Sequence, residues 1–235
     1  MPTIYIPSTH RPMTQAIQDT LPVLIGLIPF GLVLGAQATA QQMTLWQVPL
    51  MTGINFAGGS EFAAISLWTS PPPLLLIALT TLLVNCRHIL MSATLAPYLK
   101  GLPLSKALIV LFFMCDESWA LALNHHKKHA LQQLNLSYYF SVALSLYITW
   151  IASSAVGAWL GPIIGDIRIY GLDMAFVAVF LVLLKGMWNG GRAAIAWVVS
   201  LVVAALSYKF IEGAWYVPFG TLSGLAVIWW LEKSK

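Results

Sequence analysis

Five ionisable residues interrupt otherwise apolar stretches of this chain: Glu61, the adjacent Arg87 and His88, and the adjacent Asp116 and Glu117. A charge in hydrocarbon costs about 2.5–3.5 kcal/mol on insertion scales, so it persists where it meets a partner or water. Arginine keeps its charge and needs a carboxylate. A buried carboxylate can bind and release protons, and an imidazole can relay them. These positions therefore point to ion pairing and proton handling along a hydrated interior path. Asp116 and Glu117 are neighbours, about 100° apart on a helix, so only one of them is placed to pair with Arg87.

Two further groups of residues fit such a path. Thr81, Asn85, His88 and Ser92 follow a 4-3-4 spacing that puts them on one helix face. That stripe suits a wetted groove or hydrogen bonding between helices, and the residues alone leave both open. The run Asn55-Phe56-Ala57-Gly58-Gly59-Ser60-Glu61 makes a poor continuous helix, because paired glycines favour unwinding. Unwound backbone at membrane depth exposes N–H and C=O groups that can hold the carboxylate and ammonium of an amino acid. Asn55, Gly58, Gly59, Ser60, Glu61 and Asn85 are the expected substrate-binding set. Glu61, Arg87, His88, Asp116 and Glu117 are the expected ion-pairing and proton-coupling set.

The elements that position these residues are membrane helices. Of the 235 residues, 9% are charged and 59% hydrophobic, and the mean hydropathy is +0.79. Soluble domains carry about 25% charged residues, so an ordinary soluble fold is excluded. The net charge of +4 comes from Lys and Arg scattered singly, which suits orientation in a lipid bilayer and not nucleic-acid binding. Ten Trp and eight Tyr fit two water–lipid interfaces. No phosphate-binding loop, dinucleotide glycine pattern or metalloprotease motif is present, and no cofactor, metal site or disulfide between Cys86 and Cys115 is expected.

The expected fold is all-α, a polytopic membrane helix bundle of about seven to eight segments. Residues 1–18 form a polar arm, and 19–235 a single transmembrane domain. Arg11, the apolar run and Ala38-Thr39-Ala40 imitate a cleavable signal, but more membrane sequence follows, so this segment reads as a retained first span, 21–40. The second span, 48–68, is discontinuous at Gly58-Gly59, and Pro71 to Pro73 turn the chain. Further spans are expected at 74–96, 104–123 and 138–160, then three shorter ones at 172–187, 193–208 and 215–231. Residues 124–135, with His125, His126 and His129, read as a solvated connector. Lys185 and Arg192 read as interfacial. Pro29-Phe30-Gly31 with Gly35 recurs as Pro218-Phe219-Gly220 with Gly224, but this pairs the first span with the last, and coincidence is the simpler account. Orientation stays open. Full crossings put Arg11 and Lys100 on opposite faces, and if only the second segment doubles back, Lys127 and Lys128 face outward.

Four stretches give the chain a family likeness: Leu21-Pro22 through Pro29-Phe30-Gly31 with Gly35, Phe56-Ala57-Gly58 through Phe62, Asn85 with Arg87-His88, and Asp116-Glu117 with Ala120. In that order they resemble the AzlC family of branched-chain amino acid permeases, the large subunits of two-component exporters. The resemblance implies no enzyme but a secondary transporter subunit. It would export branched-chain or similar small apolar amino acids across the bacterial inner membrane, driven by the proton-motive force. It also implies a small hydrophobic partner subunit of the AzlD type. Glu61 stands where similar sequences commonly have Gln, Met91 where Tyr is frequent and Cys115 where Thr is frequent. A proline frequent near Val177 to Phe180 is missing. The alternatives are a transporter or channel for another small solute, or a membrane enzyme using His88 with Asp116 or Glu117.

Overall fold

The computed structural model describes residues 12–129, 131–164, 185, 191–211 and 215–233. All regular structure among them is helical. The elements are α1 (Pro12–Ala40), α2 (Gln47–Asn55), α3 (Gly58–Ser66), α4 (Leu74–Asn85), α5 (Arg87–Leu95), a short 3₁₀ turn (Ala96–Leu99), α6 (Leu104–Phe112), α7 (Asp116–His129), α8 (Leu136–Ile164), α9 (Gly191–Phe210) and α10 (Tyr216–Lys233). Three stretches are long and apolar enough to cross a bilayer: Met13–Ala40, Leu74–Leu99 and Leu136–Ile163. Counting α6 with α7 as one span would make four, and Ala194–Phe210 and Pro218–Leu231 are shorter apolar helices. The stretch expected at 172–187 lies outside the described residues except for exposed Lys185.

Helices α1 and α8 form the central pair and run in the same direction. Asp19 meets Tyr138 near one end, Gly31 lies against Ser153 in the middle, and Thr39 lies against Gly161 at the other end. Glycines make this closeness possible. A Cβ at Gly35 would overlap the Ser154 carbonyl and the Ala158 nitrogen, and one at Gly157 would overlap the Leu32 carbonyl. Gly31/Gly35 and Gly157/Gly161 are both G-x-x-x-G pairs. In lipid, where no hydrophobic force drives helices together, such close backbone packing holds them. The recurring glycines act likewise at Gly220 and Gly224, which lie against Ser200 and Ala204 of α9. Helix α1 begins at Pro12, so the polar arm expected through residue 18 is helical over its described part.

The second segment differs from its expected form in two ways. It breaks at Phe56-Ala57, two residues before the glycines, and Gly58-Gly59 open α3 instead of unwinding. Phe56 ends α2 in the left-handed region, with φ 45°, and its ring packs edge-on to Tyr147 at 5.1 Å. The segment also turns back on itself. Along α2, Thr52 meets Ser154 and Gly53 meets Tyr147, so this helix tracks α8 inward. Along α3, Gly58 lies beside Phe30, and Phe62 then packs on Val33 and Ala36, returning toward the end where α2 began.

The fourth segment folds in the same manner. Helices α6 and α7 meet at a bend of 119°. Ser118 Oγ accepts the Cys115 N–H at 2.9 Å, starting α7 with a side-chain cap, and Asp116 and Glu117 in the first turn suit the positive end of the helix dipole. Helix α7 continues to His129, so the histidines expected in a solvated connector are in fact on its last turns. His125 is buried, its ring stacked 3.7 Å from Tyr138, and His126 lies 3.9 Å from the Tyr98 ring.

Candidate functional site

The tips of the two bent pairs meet where α4 gives way to α5. The break at Cys86 puts Asn85 at the end of one helix and Arg87 at the start of the next. Arg87 Nη1 lies 2.9 Å from Asp116 Oδ2 on the α7 tip. Asn85 Nδ2 donates to Asn55 Oδ1 at 3.3 Å, and Asn55 Nδ2 donates to Ser60 Oγ at 2.7 Å. One short stretch thus touches both tips, by an amide on the α2–α3 side and by a guanidinium on the α6–α7 side. The expected pairing of Arg87 with one acid is met by Asp116.

The α3 tip is shaped by its glycines. A Cβ on Gly59 would lie 3.6 Å from Arg87 Nη2, so the guanidinium rests close to the first turn of α3. A Cβ on Gly58 would sit 3.2 Å from the Trp150 ring, too tight without a shift. The leading N–H groups of any helix have no partner within it, and here they open at the positive end of the helix dipole. Phe30 stacks on Phe62 at 4.8 Å and lies 5.5 Å from Trp150, walling this tip with aromatic rings.

Two atoms in the cluster have unused capacity. Asn85 Oδ1 and Arg87 Nε are both buried, and neither has a hydrogen-bond partner. Such groups cost about 1–3 kcal/mol when left unmade. One is an acceptor and the other a donor, two residues apart at the junction of the tips. A zwitterion offers the matching pair, an ammonium for the acceptor and a carboxylate for the donor.

Other expected residues are placed differently. Glu61 is fully buried and faces α8. Its Oε1 accepts the Ala57 N–H at 3.0 Å and its Oε2 accepts the Trp150 indole N–H at 2.8 Å. Its carboxylate thus braces the start of α3 against α8, and it is also hydrogen-bonded to Asn55. His88 Nδ1 lies 3.1 Å from the Asn85 carbonyl, on its own strand of chain. Glu117 sits beside Cys115, one residue off the Arg87 contact. The expected single face of Thr81, Asn85, His88 and Ser92 is divided by the break at Cys86.

Three contributors were missed in the sequence. Trp150 is buried mid-helix, away from the interface positions that tryptophan favours, and that depth was its signal. Tyr147 donates to the Gly53 carbonyl at 2.7 Å and packs 5.1 Å from both Phe56 and Phe113, so it touches both tips. Ser118 caps α7, and its spacing from Cys115 resembles that of Ser60 from Ala57.

Long apolar helices enclosing two bent half-helix pairs, with an ion pair at their meeting point, define a multi-pass helical membrane protein. Comparison with known sequences narrows this further. The profile of the AzlC protein family matches residues 22–164, and the chain belongs to that family. It is similar to the branched-chain amino acid transport protein AzlC of Bacillus subtilis, 23% identical over 220 residues, covering 93% of this chain and 85% of that one. It is also similar to an uncharacterized membrane protein of Haemophilus influenzae, 26% identical over 230 residues, covering 96% and 92%. The inner membrane protein YgaZ of Escherichia coli is 24% identical over 148 residues, covering 63% and 60%. No solved structure matches.

Proposed function

We propose that this chain is the large subunit of a secondary transporter that exports branched-chain or similar small apolar amino acids across the bacterial inner membrane. The observation that carries the reading is the orphaned pair, Asn85 Oδ1 and Arg87 Nε, between two half-helix tips. The acceptor receives the substrate ammonium. The donor and the open N-terminal turn of α3 at Gly58 and Gly59 receive its carboxylate. Aromatic rings at Phe30, Phe62 and Trp150 suit an apolar side chain. The name of the Bacillus subtilis relative supports the substrate class.

In this reading Asp116 holds Arg87 when the site is empty, and substrate carboxylate competes for the guanidinium. Protonation of Glu117, the acid adjacent to that pair, couples the competition to the proton-motive force. A small hydrophobic subunit of the AzlD type completes the assembly. The test is efflux from cells loaded with a valine-containing dipeptide, with and without the partner gene. Asn85→Leu and Arg87→Lys each lower valine efflux at least tenfold at normal expression, and a protonophore abolishes wild-type efflux. Wild-type efflux in both variants overturns the site, and efflux indifferent to the protonophore overturns the coupling.

A further inference from the structure

We infer that residues 12–129 are an inverted repeat of two units, each a long span followed by a half-helix hairpin, and that the two hairpins enter the membrane from opposite faces. The elements correspond at an offset of 58 positions. Helix α1 matches α4 with α5 and its following turn, α2 matches α6, and α3 matches α7. The correspondence reaches individual bonds. Ser60 Oγ donates to the Ala57 carbonyl at 2.9 Å, and Ser118 Oγ donates to the Cys115 carbonyl at 3.1 Å. The Glu61 N–H bonds Ala57 O at 3.2 Å, and the Trp119 N–H bonds Cys115 O at 3.0 Å. In both units the cap N–H is taken by a first-turn side chain, Glu61 Oε1 or Ser118 Oγ. Phe30 lies against Gly58, and the position before the counterpart of Phe30, Arg87, pairs with Asp116, the counterpart of Gly58. Pro29 lies in the middle of α1, and its counterpart Arg87 begins the helix that follows the break at Cys86.

The contacts fix which end each hairpin occupies. Gln15 Nε2 lies 3.3 Å from His129 Nε2, and Met13, Ile17 and Lys106 border one groove with Leu136. The Leu134 N–H donates to the Tyr98 carbonyl. The start of α6 and the end of α7 therefore both lie at the N-terminal end of α1, together with the end of the second span. The α2–α3 pair opens at the other end, where the Met43 N–H bonds the Ala38 carbonyl.

This arrangement accounts for the charges carried by residues 12–129. Lys100, Lys106, Lys127 and Lys128 all fall on the face where α1 begins, and Arg11 precedes α1 in sequence. The connectors at the opposite face, 41–46 and 67–73, contain no Lys or Arg and do contain Trp46 and Trp68. By the positive-inside rule the first face is cytoplasmic. Hairpin α6–α7 then closes the site toward the cytoplasm and α2–α3 closes it toward the outside. This gating role rests on the transport reading, whereas the topology does not.

The experiment is cysteine accessibility on the full chain with Cys86 and Cys115 replaced by Ala, using a membrane-impermeant maleimide. Gln42→Cys and Thr69→Cys are expected to label in spheroplasts, and Lys106→Cys and Lys127→Cys only in inside-out vesicles. As a second measurement independent of labelling, a Gln15→Cys/His129→Cys pair forms a cross-link in membranes. Labelling of 106 and 127 from opposite faces, or of 42 and 69 from opposite faces, overturns the hairpins. All four labels on reversed faces overturn the orientation, and a missing cross-link overturns the placement of α7. The expected pattern together with failed efflux retires transport and leaves the repeat standing.

Discussion

Replacing Arg87 isolates what the central ion pair contributes. Its 2.9 Å contact with Asp116 joins groups whose side chains are 32% and 37% exposed. Removing one partner of a fully buried pair costs about 3–5 kcal/mol, while exposed pairs contribute about 0.2–1 kcal/mol. A pair one-third exposed falls between, so Arg87→Met costs about 2 kcal/mol. That corresponds to a drop of about 4–8 °C in melting temperature for a chain of this size. Asp116→Asn costs less, because Asn keeps a hydrogen bond. The double variant recovers about 1–2 kcal/mol relative to the sum of the singles, since no charge is left uncompensated. Efflux separates structure from function: the double variant regains part of the lost stability yet loses efflux at least tenfold, equivalent to about 1.4 kcal/mol. The assays are thermal unfolding of the detergent-purified protein and valine efflux at matched expression. Strictly additive stabilities would show that the pair does not form. Full efflux from the double variant would reduce the pair to a structural tie.

Other perturbations address separate parts of the molecule. Gly35→Leu forces α1 from α8 by overlap with Ser154 and Ala158, and the protein is lost from the membrane fraction, whereas Gly26→Ala, with nothing within 4 Å, accumulates normally on an immunoblot. Trp150→Phe removes the donor to Glu61 Oε2 and leaves a buried acceptor unmade, costing about 1–3 kcal/mol by thermal unfolding. Tyr147→Phe removes the bond to the Gly53 carbonyl and destabilises by about 1 kcal/mol, with a larger effect on transport rate than on substrate affinity, since both tips rest on this ring.

The charged positions were legible in the sequence because a membrane leaves few physical reasons for an arginine or a carboxylate at depth; that scarcity pointed Arg87 to one of two adjacent acids, and only the structure selects Asp116 over Glu117. Of the helix breaks, only that of the second segment was legible, in kind and not in detail; those at Cys86 and at Phe113 to Cys115 fell inside stretches read as continuous spans. Gly58 and Gly59 suggested unwinding, yet a glycine also lets α3 start close beneath Trp150, and the actual break falls at Phe56, where tertiary packing on Tyr147 holds a left-handed residue. The break at Phe113 to Cys115 had no glycine to announce it. There the cue was Ser118, whose hydroxyl substitutes for the missing helix bond, a role that three residues of spacing do not distinguish from an ordinary serine.

Orientation was the point at which local reading failed, and the reason is topological. Counting positive charges assumes that each apolar stretch crosses, and the 104–123 stretch is apolar enough to look like a span. Its return depends on the 119° bend and on His125 and His129 reaching back to Tyr138 and Gln15, contacts between residues far apart in sequence. Once one such hairpin is placed, a second of opposite entry makes the lysines agree. The two tips then meet at Asn85 and Arg87, a junction within a span that both hairpins touch. A substrate bound there would face two barriers of the same construction. Exchange of the open barrier would require only that one tip withdraw while the other stays bonded, and the 2.9 Å ion pair on one side and the hydrogen bond from Asn85 to Asn55 on the other are the contacts such a motion must break.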